Sequence, residues 1–538
     1  MELRDYQKDA IDSFIRNYNA GYNNSLIVIP TGGGKTPVIS DIVVCFYKHN
    51  KSVCILTHRS ELITQNYDTL CRYRNGEHYI PEKDIGIYCA MLNQKDTEEF
   101  VIIGSIQSVA NQCDSFEPFD LIIVDEAHLI PPTETTQYQR FLTQMRQKNP
   151  RTHLLGLTAT PHRTGEGLLY ATEEDTEEER ESKTFDQLTY EISIAELIYE
   201  NYLTKLTSFS GEEVFDLQGV KKAGGEFVAK QLNERMDAQE GVFYHAVNEM
   251  VQRGKNRRSW VVFTSSIEQV YFVSDLLEAA GIDNEVITGE TPHKERVQII
   301  EDFKAGHLRC IVNCKVLTTG FDAPNIDLIV LLMATASPSL YVQIMGRGTR
   351  NAPDKKDCLV LDYGGNVERH GCVDDVDFQK KKKGRGEAPV KKCPACNALL
   401  ALRILHCPHC GHQFEAPKGG KLTYHAWDES LIKTQKLPVD FLDAETHTSK
   451  KGHQGLKIQY YVPTDNDEHK IVTWFMSPNS SEKARNYCNW TFRRMYHCSL
   501  PDDLEKATDI IKNKPVPKYI LCKENDSGYL EVKKACFY

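Results

Sequence analysis

Residues 25–36 read SLIVIPTGGGKT, an apolar run followed by three consecutive glycines, a lysine and a threonine. The apolar run predicts a buried strand, and the residues from Lys35 onward have a helical pattern. Glycines let backbone N–H groups converge on an anion, and the N-terminus of the following helix adds a favourable dipole. We therefore predict a loop that binds a nucleoside triphosphate, in which Lys35 contacts the β- and γ-phosphates and the Thr36 hydroxyl binds Mg²⁺. The other loop residues expected to contact the nucleotide are Thr31, Gly32, Gly33 and Gly34.

A pair of carboxylates follows a second apolar run. Residues 121–124 read LIIV, which is typical of a buried parallel strand, and they place Asp125 and Glu126 at its carboxyl end. Ligands of open α/β sheets bind beyond those strand ends. We expect Asp125 to hold Mg²⁺ through water and Glu126 to be the base that orients and activates the attacking water. His128 either transmits the nucleotide state to a neighbouring domain or is an ordinary interface histidine.

Short apolar runs alternate with helical patterns in two successive sets. This alternation predicts an α/β protein with two doubly wound parallel sheets. A less regular stretch, 165–258, lies between the two sets and has a helical pattern near 239–252. The first set of runs is 26–29, 53–56, 101–103, 121–124 and 154–157, and the second set is 260–263, 285–287, 310–312, 328–332 and 358–361.

Five segments occur in one order: PTGGGKT (30–36), DEAH (125–128), TAT (158–160), TTGFD (318–322) and QIMGRGTR (343–350). Together they resemble the motifs of the superfamily 2 helicases and translocases. The resemblance covers residues 3 to about 365 and implies two tandem RecA-like domains with the nucleotide in the cleft between them. Within the superfamily, 156–165 and 316–330, followed by pairs of cysteines, look most like the bacterial RadD type, while the C-terminal tail looks more like that of phage-encoded relatives.

The resemblance also assigns roles to individual residues. Arg347 and Arg350, placed three apart on one face of a helix start, are expected to act as arginine fingers from the second domain. Gly320 and Asp322 are expected to contact the ribose. Residues 3–7, LRDYQ, resemble the Q-motif, which implies that the glutamine at position 7 reads the adenine edge and favours ATP.

Two groups complete the residues that the resemblance assigns. The Q-motif residues are Arg4 and Gln7. The residues expected on a track that holds DNA through its phosphates are His58, Arg59, Ser105, Gln107 and Thr318.

The activity that the resemblance implies is that of an ATP-dependent DNA helicase or translocase in repair or recombination. Such proteins couple nucleic-acid-stimulated ATP hydrolysis to movement on DNA or to its remodelling, and act with single-stranded DNA-binding protein and recombinase. Two alternatives remain open: a remodeller that does not separate strands, and an ATP-gated nucleic-acid clamp or scaffold with slow hydrolysis. The choice of DNA over RNA rests on the family alone.

Two CxxC pairs, CPAC and CPHC, are separated by ten residues. This spacing predicts a closed, structural Zn²⁺ site, because two such turns place four thiolates around a tetrahedral ion. A variant with three cysteines and a nearby histidine stays open. The predicted ligands are Cys393, Cys396, Cys407 and Cys410.

These patterns divide the chain into five segments. They are a first RecA-like domain (1–200), a second RecA-like domain with a junction segment (201–378, junction 201–258), a basic linker (379–391), a Cys₄ zinc ribbon (392–416) and a β-rich α+β accessory domain (417–538). In the accessory domain we predict strands at 457–462, 470–475, 519–522 and 529–532 around a helix from about 480 to 495. The basic and aromatic residues of that helix either engage nucleic acid or pack a core.

Composition limits the class of protein. The formal net charge is −11, so binding of nucleic acid requires local basic surfaces. The acidic stretch 173–181 is expected to be a mobile, solvated loop. No apolar run approaches the ~20 residues of a membrane span, and the N-terminus has no signal-peptide pattern. We therefore expect a cytoplasmic protein without a membrane partner, in a bacterium or, if phage-encoded, in its host.

Overall fold

The protein is described by a computed structural model that covers residues 2–537 apart from 59, 73–78, 132–135, 164–166, 173–174, 319–320, 377–389, 403, 415–430, 450–451, 465–467, 481–484, 486–487, 490, 493–494, 497 and 525–528. The chain divides into two compact units. The first consists of Met1–Lys392 with Asn397–Leu399, and the second of Cys393–Cys396 with Leu400–Tyr538. No described helix combines the length and the apolar character needed to cross a membrane.

The first unit contains two eight-stranded sheets. The strands of the first sheet and its nearby hairpin are β1 (Asn24–Val28), β2 (Val53–Thr57), β3 (Ile85–Cys89), β4 (Gln94–Lys95), β5 (Val101–Ser105), β6 (Leu121–Asp125), β7 (His153–Thr158), β8 (His162–Arg163), β9 (Gly167–Leu168) and β10 (Gln187–Glu191). Their helices are α1 (Asp5–Asn19), α2 (Lys35–Lys48), α3 (Ser60–Arg72), α4 (Ile106–Val109), α5 (Gln137–Lys148), α6 (Glu177–Glu181) and α7 (Ile194–Tyr199).

The strand order in this sheet is β10-β1-β7-β6-β2-β5-β3-β4. All neighbours are parallel except β3 and β4, which are antiparallel. Buried side chains from the strands and from α4 and α5 form one hydrophobic cluster. The strands are uniformly apolar because a parallel sheet is covered on both faces.

The second sheet has the order β15-β16-β14-β17-β18-β11-β20-β19. The six strands from β15 to β11 are parallel, and β11 pairs antiparallel with residues 398–399 of β20. The strands from here to the end of this sheet, with one separate hairpin, are β11 (Leu206–Ser210), β12 (Lys222–Ala223), β13 (Glu226–Phe227), β14 (Trp260–Thr264), β15 (Asn284–Ile287), β16 (Cys310–Asn313), β17 (Leu328–Leu332), β18 (Cys358–Asp362), β19 (Val390–Lys392) and β20 (Ala398–Ala401). The helices are α8 (Ala229–Asp237), α9 (Glu240–Arg253), α10 (Ile267–Ala279), α11 (His293–Ala305), α12 (Pro338–Gly348) and α13 (Asn366–His370).

The predicted fold class is confirmed, since each of the ten apolar runs lies on a strand of one of two mainly parallel sheets. The strands β10 and β11 were not predicted. Their sequences, QLTYE and LTSFS, mix polar and apolar residues, and they become strands by pairing in parallel with β1 and β18. Tertiary pairing has overridden a weak local pattern there.

Two expectations about local structure are wrong. Arg347 lies in the last turn of α12 and Arg350 follows that helix, so neither is at a helix start. The reason is that Ser337 caps α12 and Pro338 occupies its first turn, which sets the start well upstream. Residues 176–181 of the acidic stretch are exposed as predicted, but they are not a loop: α6 is a short helix, and Thr176 and Glu179 form a capping box at its start.

The second unit is β-rich. Its elements after the cysteine pairs are β21 (Gln435–Pro438), β22 (Phe441–Thr448), β23 (Gln454–Pro463), β24 (His469–Met476), α14 (Leu504–Asn513), β25 (Tyr519–Glu524) and β26 (Leu530–Cys536). They form two antiparallel sheets, β22-β23-β24 and β21-β25-β26, which share one core. The four predicted strands are present, whereas β21, β22 and α14 were not predicted.

The predicted helix near 480–495 is described only in part. Phe492 and Tyr496 are buried in the shared core, so these two aromatic residues pack rather than face a ligand. Arg485 of this segment is exposed, whereas its other basic and aromatic residues, Lys483, Tyr487, Trp490, Arg493 and Arg494, lie outside the described residues. The predicted basic linker also lies largely outside them.

Candidate nucleotide site

The glycine loop joins β1 to α2, and α1 supports it from the side. Gly34 precedes α2 with φ of 78°, a left-handed conformation that favours glycine. The Tyr6 hydroxyl donates to the Gly33 carbonyl at 2.6 Å, and the Gln7 side-chain amide donates to the Gly34 carbonyl at 3.1 Å. These bonds hold the loop so that Lys35 begins the helix at the carboxyl edge of the sheet.

The Q-motif residues contact protein atoms in this structure. The Gln7 Oε1 atom accepts the backbone N–H of Arg4 at 2.9 Å, while its Nε2 atom is bound to the glycine loop. The Arg4 guanidinium lies 5.0 Å from the centre of the Tyr202 ring. Adenine recognition by Gln7 and nucleotide contact by Arg4 stay predictions, and the observed role of the Gln7 side chain is to brace the loop.

The two acidic residues of DEAH lie directly opposite Lys35. Glu126 has a φ of 56°, which is unusual for a residue with a side chain and costs roughly 1–3 kcal/mol. Its Oε1 atom is 3.4 Å from the Lys35 Nζ atom, and the Asp125 Oδ1 atom accepts the Glu126 N–H at 3.0 Å. This turn therefore places both carboxylates beside Lys35, the lysine predicted to bind phosphate.

Burial and neighbouring charges shift the pKa values of the two carboxyls in opposite directions. Burial raises the pKa of Asp125, and the neighbouring Glu126 charge raises it further. Burial also opposes ionisation of Glu126, but Lys35 first, then His128 and Arg347, outweigh it and lower the pKa of that carboxyl. Glu126 is thus kept ionised, as a base that orients water must be.

His128 connects three motifs. Its Nδ1 atom lies 3.0 Å from the Thr158 hydroxyl of TAT and 3.4 Å from the Glu126 Oε2 atom. Its Nε2 atom lies 3.0 Å from the side-chain nitrogen of Gln343, on α12 of the second sheet. Of the two interpretations of His128, the geometry favours the linking one. Gln343 was missed by the sequence analysis, although it is the first residue of QIMGRGTR.

The two arginines of that motif differ in their contacts. Arg347 is 5% exposed, and its two terminal nitrogens donate to the carbonyls of Phe321 (2.6 Å) and Thr318 (2.7 Å). Arg350 donates to the Phe321 carbonyl at 2.8 Å and pairs with Asp322 at 3.1 Å. Arg347 therefore braces the TTGFD segment, whose Gly320 lies outside the described residues.

Arg350 reaches the glycine loop from the second sheet. A Cβ atom added at Gly32 would be 3.0 Å from the Arg350 Cγ atom. At Gly346, an added Cβ would be only 2.5 Å from the Thr31 Cβ atom, so α12 approaches the loop at a distance that only glycine permits. The two sheets of the first unit thus meet at the predicted phosphate site.

The site fits a nucleotide with Mg²⁺. The Thr31 Oγ1 atom, in the loop itself, is buried without a hydrogen bond, and buried polar atoms are normally satisfied. Thr36 in the first turn of α2 and Asp125 are the oxygen donors of the kind that Mg²⁺ prefers.

The residues predicted to hold DNA differ in their exposure and in their contacts. Gln107 is exposed, while the Ser105 hydroxyl caps α4 by accepting the Ser108 N–H at 3.3 Å. Thr318 is buried, and its hydroxyl donates to the Lys315 carbonyl at 2.8 Å. The His58 ring packs 5.3 Å from the Tyr138 ring. Arg59 lies outside the described residues, and the DNA contacts stay a prediction.

The four predicted zinc ligands come together in the second unit. Their sulfur atoms all lie within 4.8 Å of one another, and the pairs Cys393–Cys410 and Cys396–Cys407 are each 3.6 Å apart. A tetrahedral ion with Zn–S bonds of about 2.3 Å requires sulfurs about 3.8 Å apart. The cluster is therefore compatible with a Cys₄ zinc site.

Two known families match parts of the first unit. Residues 1–163 match the family described as type III restriction enzyme, res subunit, and residues 243–352 match the helicase conserved C-terminal domain. The chain belongs to the superfamily 2 helicases and translocases. Membership implies ATP and Mg²⁺ as cofactors. Residues 391–416, which include the four clustered cysteines, match an uncharacterised family, UPF0547.

Three relatives of this superfamily 2 protein are informative. It is 28% identical over 381 residues to the putative ATP-dependent helicase IRC3 of Saccharomyces cerevisiae, covering 68% of this chain and 51% of the yeast protein. A 51.5 kDa protein of a Lactococcus phage is 26% identical over 462 residues, covering 84% of this chain and 92% of the phage protein. The DNA 3'-5' translocase XPB2 of Sulfurisphaera tokodaii is 25% identical over 397 residues, covering 67% and 81%. The chain thus spans about half the length of the yeast relative, and the RadD-type resemblance stays a prediction.

Proposed function

We propose that the protein is an ATP-dependent DNA helicase or translocase that couples nucleic-acid-stimulated ATP hydrolysis to movement on DNA or to its remodelling. The observation that carries this proposal is the chain of contacts from Lys35 through Glu126 and His128 to Gln343, which lies on α12 of the second domain. A change at the phosphate site is transmitted to the second domain through these contacts.

Each residue of the site has a distinct part in hydrolysis. Lys35 binds the β- and γ-phosphates in place of its present partner Glu126, which is then available to orient the attacking water. Arg350 stabilises the charge that develops on the γ-phosphoryl group. Thr36 and Asp125 would hold Mg²⁺, which when bound would neutralise charge on the phosphates.

Coupling to DNA follows from the same contacts. When His128 exchanges partners among Glu126, Thr158 and Gln343, the relative position of the two sheets of the first unit changes. DNA held by phosphate contacts on both domains is then displaced stepwise. Binding by phosphates carries no base specificity and weakens steeply as salt concentration rises.

Several finer features belong to the same proposal. The domain limits 1–200, 201–378, 379–391, 392–416 and 417–538 are proposed as the working division of the chain. Zn²⁺ is proposed as the ion of the Cys₄ cluster, on the strength of the sulfur distances. A role in repair or recombination and action with single-stranded DNA-binding protein and recombinase are expectations from the RadD-type resemblance. The cytoplasmic location expected from the sequence patterns stays a prediction.

The test is ATP turnover measured with single-stranded, duplex and forked DNA and with RNA at several salt concentrations. We expect stimulation by DNA, with a half-saturating DNA concentration that rises steeply with salt. Turnover that no nucleic acid stimulates would refute the proposal and would favour the slow clamp or scaffold. Strand displacement measured beside displacement of a triplex or a bound protein then separates a helicase from a remodeller.

A further inference from the structure

Among the described residues, the core of the second unit uses only one face of the sheet β22-β23-β24. Alternate residues of each strand, among them Ala444, Ile458 and Trp474, point into the shared core. The opposite set of alternate residues forms the other face, because successive side chains of a strand point to opposite sides. The residues of this outward face are Phe441, Asp443, Glu445, His447, Lys457, Gln459, Tyr461, His469, Ile471, Thr473 and Phe475.

Aromatic rings on this face form two groups. The Phe441 ring stacks on the Tyr461 ring at a centroid distance of 4.1 Å and an angle of 17°, with the His469 ring 5.0 Å from Phe441. In the second group, the Phe475 ring lies 5.1 Å from the His447 ring. Phe441 and Phe475 are 44% and 54% exposed, so neither ring is needed to fill a core.

The two groups are spaced along the strand direction. Phe441 is paired with Tyr461, whereas Phe475 is paired with Lys457, four residues earlier on β23. At roughly 3.3 Å per residue, the rows are about 13 Å apart. A stacked nucleic-acid strand advances ~3.4 Å per nucleotide, so the face matches a segment of about four nucleotides.

The carboxylates of the face and its border each contact a basic side chain. Asp440 contacts His469 at 2.8 Å, Asp443 contacts Lys512 at 3.1 Å, and Glu445 contacts Lys457 at 2.5 Å. The phosphates of a strand on this face would therefore be repelled less, because the nearby carboxylates are paired with basic side chains. Between the two aromatic groups lie Gln459 and Thr473, whose side chains carry hydrogen-bond donors.

These features favour single-stranded nucleic acid over a protein. The centre of a protein interface is usually depleted of charged residues, whereas this face carries Asp443 between its aromatic groups and the Glu445–Lys457 ion pair in the row of Phe475. Separate rings with polar gaps suit bases, because each base stacks individually on a ring. The basic groups beside this face, Lys457 and Lys512, are paired with carboxylates, so base stacking has to supply most of the affinity there.

We propose that the outward face of β22-β23-β24 is a base-stacking platform for single-stranded DNA, formed by Phe441 with Tyr461 and by Phe475 with His447. This inference rests on the proposed action on DNA and adds a second contact that differs from the motor's phosphate track. Base–aromatic stacking contributes about 1–3 kcal/mol per base, so we expect about a fivefold effect from one group and about 25-fold from both.

The experiment compares two probes bound to the full chain: labelled oligothymidine of about 12 nucleotides, within the range of single-strand-binding folds, and an abasic strand of equal length. Both probes offer the same phosphates, so their affinity ratio isolates the bases. Wild type should prefer oligothymidine about 25-fold, at low and at high salt, and F441A/F475A should lose this preference. F441Y/F475Y, which keeps the rings, should retain it.

The matched control is Y271A, because Tyr271 on α10 is an aromatic residue exposed to the same 54% as Phe475. It should leave the preference unchanged. If F441A/F475A keeps the wild-type preference for oligothymidine over the abasic strand, the inference is overturned while the proposed motor function stays intact. The same holds if the variant keeps that preference but no longer binds a protein, because the face would then be a protein-docking surface. Wild type that binds neither probe would refute the proposed function itself.

Discussion

Replacing Glu126 by glutamine should separate ATP binding from ATP hydrolysis. The substitution preserves the size of the side chain and removes its charge. In the structure this charge has two partners, the Lys35 ammonium at 3.4 Å and the His128 ring at 3.4 Å. The variant therefore removes the water-orienting base and also releases Lys35 from a competing ion pair.

The two effects have opposite signs. Loss of a general base slows the chemical step by about 10²–10⁴-fold, or about 3–5 kcal/mol in the barrier. The side chains of Lys35 and Glu126 are only 10% and 15% exposed. At 3.4 Å and an effective dielectric constant of about 20, their gross attraction is about 5 kcal/mol, most of which desolvation offsets. If about 1 kcal/mol remains, E126Q should bind ATP about fivefold more tightly.

The assay pairs steady-state ATP turnover at saturating single-stranded DNA with nucleotide affinity from a fluorescent ATP analogue. The matched control is E117Q, since Glu117 is an exposed acid of the same domain with no part in the site. The control should behave as wild type. Turnover of E126Q within tenfold of wild type, or weaker ATP binding, would refute the roles given to this carboxylate and to its pair with Lys35.

Three further predictions follow from the contacts described above. R350A should lower ATP turnover by about 10³-fold or more with little change in ATP affinity. R347A should chiefly lower the unfolding temperature, since each of two buried carbonyls loses a hydrogen-bond partner at a cost of about 1–3 kcal/mol. Equal effects of the two variants on turnover and on unfolding temperature would contradict these separate roles. C396S should abolish the single zinc expected from elemental analysis of the purified chain, and wild type without zinc would refute the metal site. Burial lowers the pKa of His153 and of His370 to about 4, assisted by neighbouring arginines. Both stay neutral in the fold while the unfolded chain takes up protons below ~6.5, so stability should fall between about pH 6.5 and 4, by up to ~3 kcal/mol per histidine, as measured by urea unfolding; a flat profile over that range would contradict it.

Local chemistry made much of this protein predictable. The glycine loop, the DEAH carboxylates and the cysteine pairs each act through neighbouring residues, so their spacing in the sequence already implies their geometry. The apolar runs likewise predicted ten strands, because a parallel strand buried on both faces has little room for polar residues.

The tertiary structure decided which distant residues meet. Gln343 and His128 are 215 positions apart, and no local pattern pairs them. The same holds for the division between Arg347, bound to two carbonyls, and Arg350, which faces the glycine loop. The rings of Phe441 and Tyr461 stack only because β22 and β23 pair in one register. Sequence periodicity determines which face of an element is apolar, whereas pairing and register determine which side chains come into contact.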